Sequence, residues 1–184
     1  IGAIPGDLVH QMDVVRYLIG KEYPETVSHS GGIFHLKDGR EQPDTQIATY
    51  EYGDLTLLAQ SCLWAPYMHK TPGNIRDTDK HPNWPFSSTK IEICGTKGFM
   101  YFGRHGGGWQ VYEAIKTTAG GGWRGGTMEN KLVSFQYSRQ GTDYHIENFI
   151  QCMHSRKKPN GDVEEGHIST ALCHLANISY RVGN

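Results

Sequence analysis

The sequence predicts an α+β domain: one amphipathic helix, then five to seven mostly antiparallel strands, then two more helices, with the helices on one face of an open sheet. Three observations carry that prediction. Apolar residues recur at helical spacing near both ends of the chain, the middle alternates with the period of a half-buried strand, and Gly, Pro and Asp residues punctuate the alternation. A chain of 184 residues suits one domain with a core of its own, here taken as residues 1–184.

The segment from Gly6 to Gly20 reads as a capped helix. Leu8, Met12, Val15 and Ile19 form its apolar face, Asp7 caps the amino end and Gly20 closes the other. Thr26 to Leu36 alternates as a strand with Gly31-Gly32 as a bulge. Lys37-Asp38-Gly39-Arg40 is a hairpin turn, because Asp-Gly favours positive φ, and it leads to a partner strand over Thr45 to Tyr52. A tight turn at Gly53-Asp54 opens a third strand, Leu55 to Trp64. Residues 65–86 break the pattern with prolines, Gly73 and charged side chains, and read as a long irregular loop.

Strand character returns at Lys90 to Cys94 and Phe99 to Phe102, and again after Gly106-Gly107-Gly108 at Trp109 to Glu113. Lys131 to Tyr137 is either a further strand or an irregular lead-in. Thr142 or Asp143 caps a helix with Ile146, Phe149, Ile150 and Met153 on one face. Asp162 starts the last helix with Glu165 as its capping-box partner. Its buried stripe is Ile168, Ala171, Leu172, Leu175 and Ile178, and Gly183 ends it. The second face of the sheet is left uncovered, so contact with another domain or a second copy is expected there.

Composition excludes several classes. Lys and Arg number 18 against 19 Asp and Glu, a net charge of −1, so no basic footprint points to nucleic acid or an anionic membrane surface. No apolar run approaches the length of a membrane span. Cys62, Cys94, Cys152 and Cys173 form no CxxC pair and no disulfide framework, which argues against a zinc site and suits a reducing, cytoplasmic setting. Cys152 and Cys173 fall in apolar helical patterns, where buried free thiols are usual. The chain opens Ile1-Gly2-Ala3-Ile4-Pro5 without an initiator Met, and reads as a piece of a longer protein.

Candidate chemistry lies in two places. His10, Asp13 and Tyr17 make a second stripe on the first helix, since residues three and four apart are neighbours. An imidazole beside a carboxylate near a helix start is proton-transfer equipment, or else a surface histidine on a packed helix. The long loop carries His69, His81 and Trp84, and reads either as a sugar-holding aromatic with polar neighbours or as a plain surface excursion. The two glycine clusters, 106–108 and 120–126, are not followed by a helical pattern, so a phosphate-binding loop is rejected in favour of flexible hairpin tips.

Several segments, taken in order, resemble the carboxyl-terminal domain of the glucose–fructose oxidoreductase / inositol dehydrogenase / rhizopine-catabolism (Gfo/Idh/MocA) family. They are GDLVHQMDVVRYLIG, DTQIATYEYGD, IEICGTKGFMYF and the tail from His145 to Asn184. The resemblance implies a dihydrodipicolinate-reductase-like domain that binds substrate and oligomerises through its sheet face. It also implies a partner Rossmann domain, absent from this chain, that binds NAD or NADP and carries the family's Glu-Lys-Pro motif. It further implies oxidation of a sugar or polyol hydroxyl with His10, the histidine of the family's Asp-x-x-x-His element, in proton transfer. The family acid falls on Gly6, a departure that Asp7 partly offsets, and Asp13 matches a carboxylate that contacts substrate hydroxyls. Two alternatives remain: an NAD-recycling, glycoside-cleaving enzyme on the same scaffold, and a non-enzymatic interaction domain.

Overall fold

The computed structural model describes residues 4–116 and 128–183. They fall into two compact units, Ile1–Pro66 with Thr142–Asn184, and Tyr67–Gly141. The class is the expected one, α+β with open antiparallel sheets, and the seven strands among the described residues group as two sheets rather than one.

In the first unit, Ile4–Leu8 forms a π turn that runs without a break into α1, Val9–Ile19. Leu8 has helical dihedrals and no side chain caps the junction, so Asp7 is not the expected N-cap. It lies inside the first turn, where its charge meets the positive end of the helix. Gly20 does close α1: it is left-handed at φ 66°, and its N–H donates to the Arg16 carbonyl at 2.9 Å. The buried residues of α1 are Gln11, Met12 and Arg16, while Leu8, Val15 and Ile19 are half-buried.

Thr26–Gly32 (β1), Thr45–Glu51 (β2) and Thr56–Cys62 (β3) form a sheet in the order β1-β2-β3. The β1–β2 register is unbroken from Thr26↔Glu51 to Gly32↔Thr45, so Gly31-Gly32 is no bulge. Nor do Lys37 to Arg40 close a tight hairpin, because β1 stops at Gly32 and β2 starts only at Thr45. Asp44 is the physical reason. Its fully buried carboxylate accepts the N–H groups of Phe34, His35 and Leu36 at 2.8 to 3.2 Å and the Thr45 hydroxyl at 2.9 Å. Burial pushes this carboxyl up, but the three amides and the hydroxyl together hold it well below the usual carboxylate range. A carboxylate nested in successive amides sets the path of the chain out of β1.

Alternation along β2 sends Gln46, Ala48 and Tyr50 inward, and Ala48 pairs with Ala59 of β3. These small side chains leave room for α4, Val163–Val182, whose Leu172, Cys173 and Ala176 join Ile4, Met12 and Tyr50 in the core. The Tyr50 hydroxyl donates to the Leu172 carbonyl at 3.0 Å. Burial pushes the Cys173 thiol up to about 12, so it stays protonated and inert. Cys152 is half-buried rather than buried.

Asp162 caps α4 as expected, accepting the Glu164 N–H at 3.0 Å. The capping box does not form as expected: the Glu165 carboxylate turns to Arg16. The buried stripe is Ile168, Ser169, Leu172, Cys173, Ala176 and Ser179, with Ile178 exposed. It is rotated from the expected one because small polar residues, not only aliphatic ones, fit a close helix–sheet contact. In α3, Thr142–Ser155, the residues Ile146, Phe149, Ile150 and Met153 are all exposed.

The second unit is a sheet in the order β4-β5-β6-β7: Lys90–Cys94, Gly98–Gly103, Trp109–Lys116 and Met128–Gln136. The preceding loop holds only a four-residue helix, Gly73–Arg76 (α2), and a 3-10 turn at Trp84–Phe86. Gly106, Gly107 and Gly108 lie in the β5–β6 hairpin connection, as expected. All three have positive φ, and a side chain on Gly107 would meet Pro82 Cδ at 2.9 Å, while one on Gly108 would run into the Gln136 carbonyl. The second glycine cluster lies outside the described residues. Gly120, Gly122 and Gly125 have the GxGxxG spacing, but they fall between β6 and β7 in the chain, not between a strand and a helix.

Candidate functional site

His10, Asp13 and Tyr17 share the outward side of α1, as the helical repeat requires. His10 and Asp13 are exposed, Tyr17 is 87% exposed, and Asp7 is half-buried in the turn before them.

The inner side of α1 is polar where the sequence suggested carbon. Arg16 is only 6% exposed, and its Nη1 donates to Ser169 Oγ at 2.9 Å and to the Glu165 carbonyl at 3.0 Å. Its Nη2 donates to Glu165 Oε2 at 3.0 Å, and Ser169 Oγ donates to Asp13 Oδ1 at 2.7 Å. The network bolts α1 to α4 directly behind the exposed stripe. Sequence reasoning missed Arg16 and Ser169, and placed Glu165 in a capping box rather than on Arg16. The available signal was Arg16 itself, four residues after Met12 on the buried side of the helix, where a cation demands a partner.

A second buried polar cluster lies in the same unit. Gln46 Oε1 accepts the Ile4 N–H at 3.1 Å, which leaves its Nε2 to donate to His29 Nε2 at 3.2 Å. His29 therefore accepts at Nε2 and is neutral, and its ring packs on Tyr180 with centroids 4.9 Å apart. Burial lowers its pKa.

The loop residues behave differently. His69 has an exposed side chain, with its backbone pinned by bonds to Phe86 and Ser88 at 2.9 and 2.8 Å. His81 Nδ1 lies 2.8 Å from the Gly107 carbonyl, so that nitrogen carries the proton, and the ring sits 4.2 Å from Tyr137 between centroids. Trp84 is 4% exposed, donates from Nε1 to Gln110 Oε1 at 2.6 Å and stacks on Tyr101. Its indole is used inside its own unit rather than presented at a surface. The structure thus brings His81 and Trp84 together in the second unit, and His10, Asp13 and Tyr17 together in the first.

Among the described residues no group of three or more His, Cys, Asp or Glu could hold a metal ion, and no helix is long and apolar enough to cross a membrane. No strand among them is followed by a GxGxxG turn that opens a helix, so they offer no dinucleotide pyrophosphate cradle.

Residues 1–181 match the family described as the oxidoreductase family, C-terminal alpha/beta domain. The chain belongs to the Gfo/Idh/MocA oxidoreductase family. No curated protein matches it. Among solved structures it is similar to a Thermotoga maritima protein assigned as an oxidoreductase, at 16% identity and a TM-score of 0.64, over 100% of this chain and 46% of that one. It is also similar to the UDP-N-acetylglucosamine 3-dehydrogenase GnnA of Acidithiobacillus ferrooxidans, at 13% and 0.60, over 97% and 47%. A third is the Bordetella pertussis WlbA dehydrogenase, solved with NADH and UDP-GlcNAcA, at 16% and 0.55, over 96% and 41%. The likeness is one of fold, and the chain spans less than half the length of these three proteins.

Proposed function

We propose that this chain is the substrate-side domain of an NAD(P)-dependent oxidoreductase acting on a sugar or polyol hydroxyl, with His10 taking the hydroxyl proton. The observation that carries the reading is the outward stripe His10–Asp13–Tyr17 on a helix whose reverse side is locked by buried Arg16. Such a helix presents fixed groups to a ligand without reorganising, as general acid–base chemistry needs. Asp13 accepts from, and Tyr17 donates to, further hydroxyls. When bound, the nicotinamide supplies the hydride acceptor, and it is held by a Rossmann domain outside these residues. GnnA and WlbA act on or bind UDP-linked sugars, which favours a sugar over a simple alcohol. The exposed sheet face serves assembly into a homo-oligomer.

The test is an assay of the full-length protein with NAD or NADP and a panel of glucose, myo-inositol and UDP-N-acetylglucosamine, followed by absorbance of reduced cofactor. Accumulation of NADH or NADPH with one of these is expected, and residues 1–184 alone give none. Product without net reduced cofactor would instead favour NAD-recycling glycoside cleavage, a use that Gly6 at the family acid position leaves open. No reaction under either format defeats the enzymatic reading.

A further inference from the structure

We propose that Ser169 of α4 is a positioning residue for this site: it orients the Asp13 carboxylate toward the substrate, and Arg16 sets the direction of its hydroxyl. The inference rests on the reading that Asp13 contacts a substrate hydroxyl. Asp13 is exposed, and an exposed helical aspartate ordinarily samples several rotamers. This one is tied at 2.7 Å to a hydroxyl that is itself 1% exposed and 156 positions away in the chain.

The direction of the tie follows from donor counting. A serine hydroxyl has one proton and two lone pairs, whereas a guanidinium only donates. Arg16 Nη1, 2.9 Å from Ser169 Oγ, must therefore take a lone pair and leave the Ser169 proton to Asp13 Oδ1. Arg16 is in turn held by the Glu165 carbonyl and carboxylate, both at 3.0 Å. The chain Glu165–Arg16–Ser169–Asp13 so runs in one sense only. With Oδ1 engaged by Ser169, Oδ2 is the oxygen left to accept from a ligand, one helical turn from His10. Ser169 and Arg16 are both buried and do not meet the reacting atoms, so they act through Asp13.

The test uses the full-length protein with saturating NAD or NADP and whichever of glucose, myo-inositol or UDP-N-acetylglucosamine is oxidised fastest. Ser169→Ala is expected to raise KM about tenfold with kcat within about twofold, the pattern of lost binding common to ground and transition states. Asp13→Asn raises KM at least as far, and the double variant matches Asp13→Asn alone. A crystal structure of Ser169→Ala shows Asp13 in a changed rotamer. Ser169→Cys, nearly isosteric and a weaker donor, falls between parent and alanine variant, and it serves as the probe if the alanine variant does not fold. An unchanged KM in the Ser169 variants beside a raised one in Asp13→Asn overturns the positioning role. So do additive effects in the double variant, which would mark Ser169 as a packing contact only. An unchanged KM in Asp13→Asn, or no oxidation of any probe by the parent protein, defeats the underlying reading of the site and the positioning role with it.

Discussion

The two units handle histidine and aromatic side chains in opposite ways. In the second unit His81 and Trp84 are turned inward: the indole donates to Gln110 and stacks on Tyr101, and the imidazole is bonded to the Gly107 carbonyl and laid against Tyr137. In the first, His10 and Tyr17 stand outward while the helix that carries them is fastened from behind by Arg16. The same residue types therefore mean different things. Trp84 and His81 are packed within their own unit, whereas His10 and Tyr17 are exposed on a helix fastened from its other side.

The sharpest way to break that contrast is to remove a ring from each side. Trp84→Ala deletes a buried indole and should destabilise the second unit by about 3–5 kcal/mol. Faster amide exchange in β5 and β6, with exchange in α1 and α4 unchanged, is the expected signature. Unchanged exchange in β5 would move Trp84 out of the core role. His10→Ala should do the reverse. In the full-length protein it is expected to cut turnover by about a hundredfold or more, as loss of a general base does, while the thermal midpoint hardly moves. A near-normal rate would remove His10 from the mechanism.

What could be read in advance follows the range of the interactions involved. Strand β4 was expected at Lys90 to Cys94 and is found there, because its alternation and its bounding turn are local. The His10–Asp13–Tyr17 stripe was legible for the same reason: helical periodicity alone places those residues on one side. The connection after β1 was misread because Asp-Gly at 38–39 is a strong local turn signal, yet the path is dictated by Asp44, whose carboxylate gathers amides eight to ten residues earlier. The support of the site was invisible for a stronger version of that reason. Arg16 and Ser169 are 153 positions apart, and no local pattern distinguishes Ser169 from any other helical serine.

The smallest expected effect concerns the neutral histidine inside the first unit, and it sharpens the contrast between inward and outward rings. Burial lowers the pKa of His29 below the ordinary 6.5, and its Nε2 must stay unprotonated to accept from Gln46. The unfolded chain therefore binds the proton first as pH falls. Stability tied to neutral His29 is fully present above about pH 6.5 and is lost as pH drops through the lower, folded-state value. Asp44 behaves in the same sense but in a separate window: its depressed carboxyl keeps its contribution until pH falls below the ordinary carboxylate range. Thermal midpoints of the parent and a His29→Gln variant, measured from about pH 7.5 down to about pH 2, separate the two. The parent should lose stability as pH falls below about 6.5, and the variant should lack that step while retaining the acid transition below the ordinary carboxylate range. An identical slope in both proteins would mean that protonation of His29 is accommodated where it stands, and that Gln46 can turn its amide to meet an imidazolium.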